Sequence, residues 1–266
     1  MLNFKNIQNI LIDSNFLVAL AAVAFTEITL SKFTFNRFWY LECFVFFGTL
    51  LAYSVIKNFE SHTKKLHFNL WKGFLLFVTV SFFLKLALKT QFVALIAFLL
   101  VLFYVLPLHK KRNNGRQIQG FKIVLVAACW TLITSFLPLV EYKSILEITD
   151  LWFGFQRFIL IYGIMCVFEI VDLQFDNPNL KTLPQRIGIP KTKIRSLLCF
   201  LCYLLLEIFY FQGKTTGITA FFILIYLLFL WKSSPKKSRI FSDFWLESVP
   251  IFWWIFLYIF SFLGTS

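Results

Sequence analysis

Nine long apolar stretches follow one another with only short polar connections, and this succession restricts the chain more than any other feature. Their approximate limits are 10–30, 38–57, 69–87, 90–108, 121–139, 152–171, 194–212, 216–232 and 244–263. A helix needs about 20 mainly apolar residues to cross a bilayer, and only helices and closed barrels satisfy every backbone N–H and C=O in hydrocarbon. The pattern predicts an all-α, polytopic membrane protein, a bundle of nine transmembrane helices that takes in residues 1–266 as a single membrane-embedded domain. Composition agrees, because 59% of the residues are hydrophobic and only 15% charged, where a soluble domain has about a quarter charged. Only Lys89-Thr90 separates the third and fourth stretches, which predicts a tight antiparallel hairpin. The start, Met1-Leu-Asn-Phe-Lys-Asn, lacks the pattern of a cleaved leader, so the first stretch is expected to be retained.

Nine crossings place alternate connections on one side, so the charges can be read against the count. All but seven of the 26 basic residues then share the side of the N-terminus, the seven being Lys32, Arg37, Lys85, Lys89, Lys143, Arg157 and Lys214. Basic residues concentrate in cytoplasmic connections, which predicts a cytoplasmic N-terminus and a multi-pass protein of a bacterial inner membrane. A net charge of +13 would suggest nucleic acid as the partner of a soluble chain. Here it reads as topology and contact with membrane lipids, and no nucleic-acid partner is expected. The basic connection 110–120 is read as solvated and topology-setting. Cys199 and Cys202 form a C-x-x-C inside an apolar run with no second pair, so the five cysteines are read as packing residues.

Among only 13 acidic residues, Glu169, Asp172 and Asp176 cluster at the end of the sixth stretch. Their i, i+3, i+7 spacing puts them on one helical face. Like charges in a row repel, and a divalent cation relieves that repulsion. Magnesium binds through one or two carboxylates plus phosphate oxygens and water, and Lys181 and Arg186 follow in the same loop as candidate phosphate contacts. Spacing alone leaves a second reading open, in which Asp172 and Asp176 merely end the helix and pair with Lys181, Arg186 or another basic connection. Glu207, within the seventh stretch, is read either as functional or as hydrogen-bonded to a neighbouring helix. Gln156 and Arg157 are placed to pair with Glu141, Glu147 or Asp150. Trp130 is read as lining a cavity or packing on a neighbour, and Tyr104, Pro107 and His109 as interfacial anchors.

Asp172-x-x-x-Asp176, followed by Lys181-Thr182-Leu183-Pro184 and Arg186-x-Gly188, resembles the second aspartate motif of the UbiA superfamily of intramembrane prenyltransferases. The resemblance implies nine transmembrane helices, with this motif in the cytoplasmic loop after the sixth. It implies Mg2+ held by Asp172 and Asp176 with Glu169 beside them, and Lys181 and Arg186 in contact with a diphosphate. The implied reaction ionises a prenyl diphosphate and passes the prenyl group to an aromatic or other hydrophobic acceptor, such as a lipid, within the membrane. The segment Asn177-Pro-Asn-Leu180 lacks the glycine and basic residue common in that motif.

The family's first motif would follow the second span, where this chain has Tyr53-Ser-Val-Ile-Lys-Asn-Phe-Glu-Ser-His-Thr-Lys-Lys65. Asn58 stands at the position of a leading Asn, and Glu60 is the one carboxylate in reach. Lys57, Lys64 and Lys65 surround it, with His62 and His67 nearby. Fixed lysine charges can hold a diphosphate in place of a second metal, so Lys57 and Asn58 are expected to bind substrate. Two alternatives stand beside this reading. One is a catalytically degenerate UbiA-fold protein that binds an isoprenoid lipid or a protein partner. The other is a small transporter, suggested by Glu169 and Glu207 and disfavoured by the lack of paired internal repeats.

Overall fold

The computed structural model describes residues 4–60, 70–106, 121–176, 180–211 and 213–263, and every regular element among them is helical. In order these are α1 (Phe4–Asp13), α2 (Phe16–Lys32), α3 (Trp39–Glu60), α4 (Leu70–Phe83), α5 (Leu88–Val105), α6 (Phe121–Thr131), α7 (Leu137–Tyr142) and α8 (Ile148–Asp172). They continue as α9 (Leu183–Ile187), α10 (Ile189–Phe209), α11 (Thr216–Lys232) and α12 (Glu247–Leu263). A π-helical turn, Leu132–Phe136, joins α6 to α7, and a second, Phe241–Leu246, leads into α12. Helices fall on each of the apolar stretches expected from the sequence. Five helical segments are long and apolar enough to cross a membrane: Trp39–Lys57, Leu88–Val105, Phe121–Tyr142, Ile148–Asp172 and Phe241–Phe262. The protein is therefore a helical membrane protein with five such segments among the described residues, and α4 and α11 are shorter apolar helices.

Helix α2 sits at the centre. Ala19, Ala21, Ala22 and Ala24 are spread around it, all buried, and small side chains of this kind let helix backbones approach closely where no water is present to drive association. Ala22 and Leu30 pack into one cluster with Leu41, Val45, Leu86, Ala94 and Leu137. Phe25 and Ile28 belong to another, with Leu160, Ile164, Phe200, Tyr226 and Trp253. In that second cluster Phe222 stacks on Trp253 with centroids 5.6 Å apart, an arrangement worth about 0.5–1.5 kcal/mol beyond the area it buries. The most extensive helix pair is α8 with α10. They meet at Gly163, where an added Cβ would stand 2.9 Å from Phe200 Cε1, and the Ser196 hydroxyl donates to the Gly163 carbonyl at 2.8 Å.

Contacts between helix ends show the bundle running alternately up and down. One end gathers the C-termini of α2, α7 and α10 with the N-termini of α3, α5 and α8. There Lys32 pairs with Glu207 at 2.6 Å, and Lys143 with Asp150 at 2.7 Å. The Glu141 carboxylate accepts from Tyr40 at 3.1 Å and from the Ala87 N–H. Gln156 donates to Glu207 at 3.2 Å. Arg157 does not pair with Glu141, Glu147 or Asp150 as its position suggested. It donates to Thr29 Oγ1 at 3.1 Å and lies over the rings of Phe25, at 4.6 Å, and Phe153. The reason is depth: Asp150 and Glu147 cap the start of α8, two turns away along the helix, and Lys143 already occupies Asp150.

The link between α4 and α5 is short, yet the expected hairpin does not close. Helix α4 packs along α3, while α5 packs on α6, α7 and the first π turn. Residues of both helices line the same cavity, including Leu76 and Val80 from α4 and Leu95 and Phe98 from α5. The two helices are held apart by the partners each has found.

Removing one member of a buried ion pair leaves the other charge uncompensated, at a cost of about 3–5 kcal/mol. The Glu207 side chain is 2% exposed and that of Lys32 17%. We expect Glu207→Ala to lower the thermal midpoint clearly and Glu207→Gln to lower it less. Thiol-dye labelling of the buried cysteines during a thermal ramp in detergent measures both; equal midpoints for wild type and Glu207→Ala would contradict this account.

Candidate functional site

A cavity of about 920 Å³ opens inside the bundle at the end opposite the Lys32–Glu207 pair. Most of its wall is aliphatic or aromatic, including Val18, Ala22 and Phe25 of α2, Ala94 and Val101 of α5, and Ile161 and Ile164 of α8. Its other end is charged: Lys57, Lys72, Lys122 and Arg239 share it with Asp172, Asp176, Asp243 and Glu247. These residues come from α3, α4, α6, α8, the segment before the second π turn, that turn itself and α12. No two neighbouring helices suffice to build it.

Asp172 is the last residue of α8, and the chain turns there. The Phe175 and Asp176 N–H groups both donate to the Asp172 carbonyl, at 2.7 and 2.9 Å, so the second carboxylate folds back toward the first. Lys122 Nζ stands 3.9 Å from Asp176 Oδ2 and 3.8 Å from Glu169 Oε1. The loop is also tied sideways, with Gln174 Nε2 donating to the Lys237 carbonyl at 2.7 Å and the Arg239 guanidinium lying 4.5 Å from the Phe175 ring. Those ties bring the segment before α12 against the end of α8. In consequence Asp243 and Arg239 act electrostatically on Asp172, as do Lys122 and Asp176.

Glu169 has a different place from the one its spacing suggested. It is 1% exposed and does not line the cavity. Its Oε2 accepts the N–H of Leu183 at 2.8 Å, one of the backbone donors that the first turn of a helix leaves without an internal partner. Glu169 therefore fastens the Lys181–Gly188 segment to α8. Within that segment the Thr182 N–H donates to Gln185 Oε1 at 2.9 Å, and Leu183 and Pro184 are buried. Gly188 has φ +81°, a left-handed conformation that suits glycine, and starts α10 directly after α9. With one face of α9 turned inward, Lys181 and Arg186 are exposed and absent from the cavity wall. The expected diphosphate contacts are not brought to the aspartates.

Lys57 does reach the cavity, but it also donates to the carbonyls of Ile12 and Asp13 at 3.1 and 3.2 Å, closing the C-terminus of α1. It acts electrostatically on Asp243 and Glu247 as well. Asn58 lies in α3, but its side chain, with that of Glu60, falls outside the described residues, as do His62, Lys64, Lys65, His67, Pro107, His109 and the connection 110–120. Trp130 lines the cavity and packs on Phe25, with its indole N–H donating to the Tyr53 hydroxyl. Tyr104 is a wall residue too. Sequence reasoning missed Lys72, Lys122, Arg239, Asp243 and Glu247. The acids were marked by Asp243-x-x-x-Glu247, the same i, i+4 spacing as Asp172-x-x-x-Asp176.

The donors at the charged end are carboxylate oxygens, which suit a hard cation such as magnesium rather than zinc. Asp176 Oδ2 accepts no hydrogen bond although its side chain is only 10% exposed, and the Lys122 ammonium stands 3.9 Å from it, so this oxygen keeps lone pairs for a ligand. Among the described residues no group of three or more His, Cys, Asp or Glu is arranged to hold a metal. Magnesium at this place would complete its shell with phosphate and water, and Asp172 and Asp176 fit that role.

Losing the acceptor for the Leu183 N–H leaves a buried donor unpaired, at a cost of about 1–3 kcal/mol. Glu169→Ala should therefore speed amide exchange at Leu183 by roughly ten-fold or more while leaving the interior of α8 protected. Hydrogen exchange read by mass spectrometry decides it, and unchanged exchange over 180–188 would show that the tether is not used. Comparison with protein-family models, curated proteins and solved structures finds no match to this chain.

Proposed function

We propose that the protein is a UbiA-like prenyltransferase of nine spans, with its N-terminus and the Asp172/Asp176 loop on the cytoplasmic face of a bacterial inner membrane. It transfers a prenyl group from a prenyl diphosphate to an aromatic or lipid acceptor and depends on Mg2+. The observation that carries this reading is the division of one cavity into a long apolar part and a compact charged end. A molecule with a hydrocarbon tail and a polyanionic head matches both parts at once, whereas a small polar solute matches only one. The order of Asp172-x-x-x-Asp176 and Lys181-Thr-Leu-Pro184, on which the resemblance rests, adds independent support.

In this reading Lys72, Lys122 and Arg239 attract and orient the diphosphate as fixed positive charges. Asp172 and Asp176 would hold magnesium, which when bound offsets the charge that builds on the leaving diphosphate. The prenyl C–O bond breaks with its electron pair going to the diphosphate, a bond from the acceptor to the prenyl carbon forms, and the acceptor's proton passes to the released pyrophosphate. The aromatic faces of Phe25, Trp130 and Tyr226 line the apolar part, where they favour a cationic prenyl carbon and keep water from it. A binding-only relative of the family is the second reading. It is favoured by the placement of Lys181 and Arg186 away from the cavity and by the four basic side chains, which can hold a diphosphate without turnover.

Purified protein incubated with labelled prenyl diphosphates, magnesium and a membrane lipid extract separates the readings. Turnover that requires magnesium and falls on the order of 10²-fold or more in Asp172→Asn supports the transferase. Retention of labelled prenyl diphosphate without any product supports the binding protein, and neither binding nor product removes both.

A further inference from the structure

We propose that Asp243 and Glu247, at the start of the last span, are the second carboxylate pair of a divalent-cation and diphosphate site whose first pair is Asp172 and Asp176. This rests on the prenyl diphosphate reading given above. The connection after α3, where a second acidic motif was expected, carries one acid among three lysines in the sequence. The structure instead brings an acidic pair to the same cavity from α12 and the turn before it.

The local backbone explains how. Pro250 lies inside α12 and has no N–H to give the Leu246 carbonyl four residues back. The chain answers with the π turn Phe241–Leu246 directly before α12, and such turns re-aim the side chains they carry. Asp243 and Glu247 both line the cavity, as does Pro250. The Ser242 hydroxyl, 0% exposed, donates to Asp243 Oδ1 at 2.8 Å and fixes that carboxylate. Asp243, in the π turn, acts electrostatically on Asp172 across the cavity end and on Glu247 at the start of α12. Asp172 and Asp176 at the end of α8 thus line the same cavity as Asp243 and Glu247 at the start of the last span.

Like charges gathered this way require cations. Lys57, Lys122 and Arg239 supply part of that. They leave Asp176 Oδ2, in a side chain nine-tenths buried, without a hydrogen bond, and Lys122 Nζ at 3.9 Å is beyond hydrogen-bonding distance. That orphaned oxygen on the cavity wall is the observation pointing to a ligand. Since magnesium on a diphosphate needs only one or two protein carboxylates, two pairs serve a cation-bearing diphosphate even though, among the described residues, no three acids form a closed protein cage.

Manganese(II) is a paramagnetic substitute for magnesium, and its binding to the full chain in detergent can be read by electron paramagnetic resonance with and without inorganic pyrophosphate. Wild type should bind Mn2+ more tightly with pyrophosphate present. The isosteric double variant D243N/E247Q should lose roughly ten-fold or more of that affinity at an unchanged thermal midpoint, with D243E restoring most of it; E247Q alone serves should the double variant fail to fold. Wild-type affinity in D243N/E247Q, or in E247Q if only that variant folds, together with loss in Asp172→Asn, overturns this inference and leaves the prenyl diphosphate reading standing. Absence of both Mn2+ and pyrophosphate binding in wild type overturns the two together.

Discussion

Carboxylates and cations placed inside an apolar bundle must be answered by partners, and the arrangement of the whole molecule follows from where those partners are found. At one end the answers are direct. Lys32 with Glu207, Lys143 with Asp150 and Arg37 with Glu27 sit at 2.6 to 2.9 Å; the first joins segments distant in sequence, and the other two fasten neighbouring helix ends. At the other end the carboxylates of Asp172, Asp176, Asp243 and Glu247 face a shared space with four basic residues around it. There the Lys122 ammonium stands 3.9 Å from Asp176 and 3.8 Å from Glu169. Short pairs lock geometry and close the bundle. Longer, mixed-sign groupings around a cavity keep their binding capacity for something that enters it.

Two departures from regular helix shape the cavity, and both trace to proline. Pro138 cannot donate to the Thr134 carbonyl, and the hydroxyl of Thr29 donates there instead at 2.7 Å. The preceding π turn turns Ile133 and Thr134 toward the cavity. Pro250 stands in the same relation to the turn that carries Asp243 and Leu246. In a medium without water a freed carbonyl must find another donor within the protein, and at Pro138 that need draws a neighbouring helix in. Thr29 in α2 meets that need and in turn accepts from Arg157, which links the central helix to both walls.

The membrane-embedded helical class and the apolar stretches on which helices lie were legible in the sequence because a span must be long, apolar and nearly free of charge, whereas the break between α1 and α2 within the first stretch and the short α9 were not. Asp172 and Asp176 were legible for the same reason, as charges where few are tolerated, and both face the cavity. Lys181 and Arg186 were misplaced because closeness along the chain was taken for closeness in space. The inward pull of Leu183 and Pro184, with the Glu169 tether, turns them outward. Asp243 escaped notice because its stretch was given a start at 244, inside the π turn, which left Glu247 a lone acid at the head of a span although its i, i+4 spacing to Asp243 stood in the sequence. The α4–α5 link was short enough to suggest a hairpin, yet connection length limits only how far apart two helix ends lie. Which helices pack is decided by their faces.

That last point bears on how an amphiphile reaches the charged end. Leu76 and Val80 of α4 and Leu95 and Phe98 of α5 line the cavity and are also 42–54% exposed. In a soluble protein such residues would be a liability; in a bilayer their outward surface is bathed in hydrocarbon. Because α4 is held chiefly by α3 and α5 by α6 and α7, each side of the seam between them is supported from elsewhere in the bundle. Under the proposed function, a prenyl tail would exchange between bilayer and cavity along this apolar route, while its diphosphate head stays at the end where Lys57, Lys72, Lys122 and Arg239 gather. The splayed pair and the charged end are complementary halves of one requirement, that a ligand soluble in neither water nor hydrocarbon alone be held with each part in its own medium.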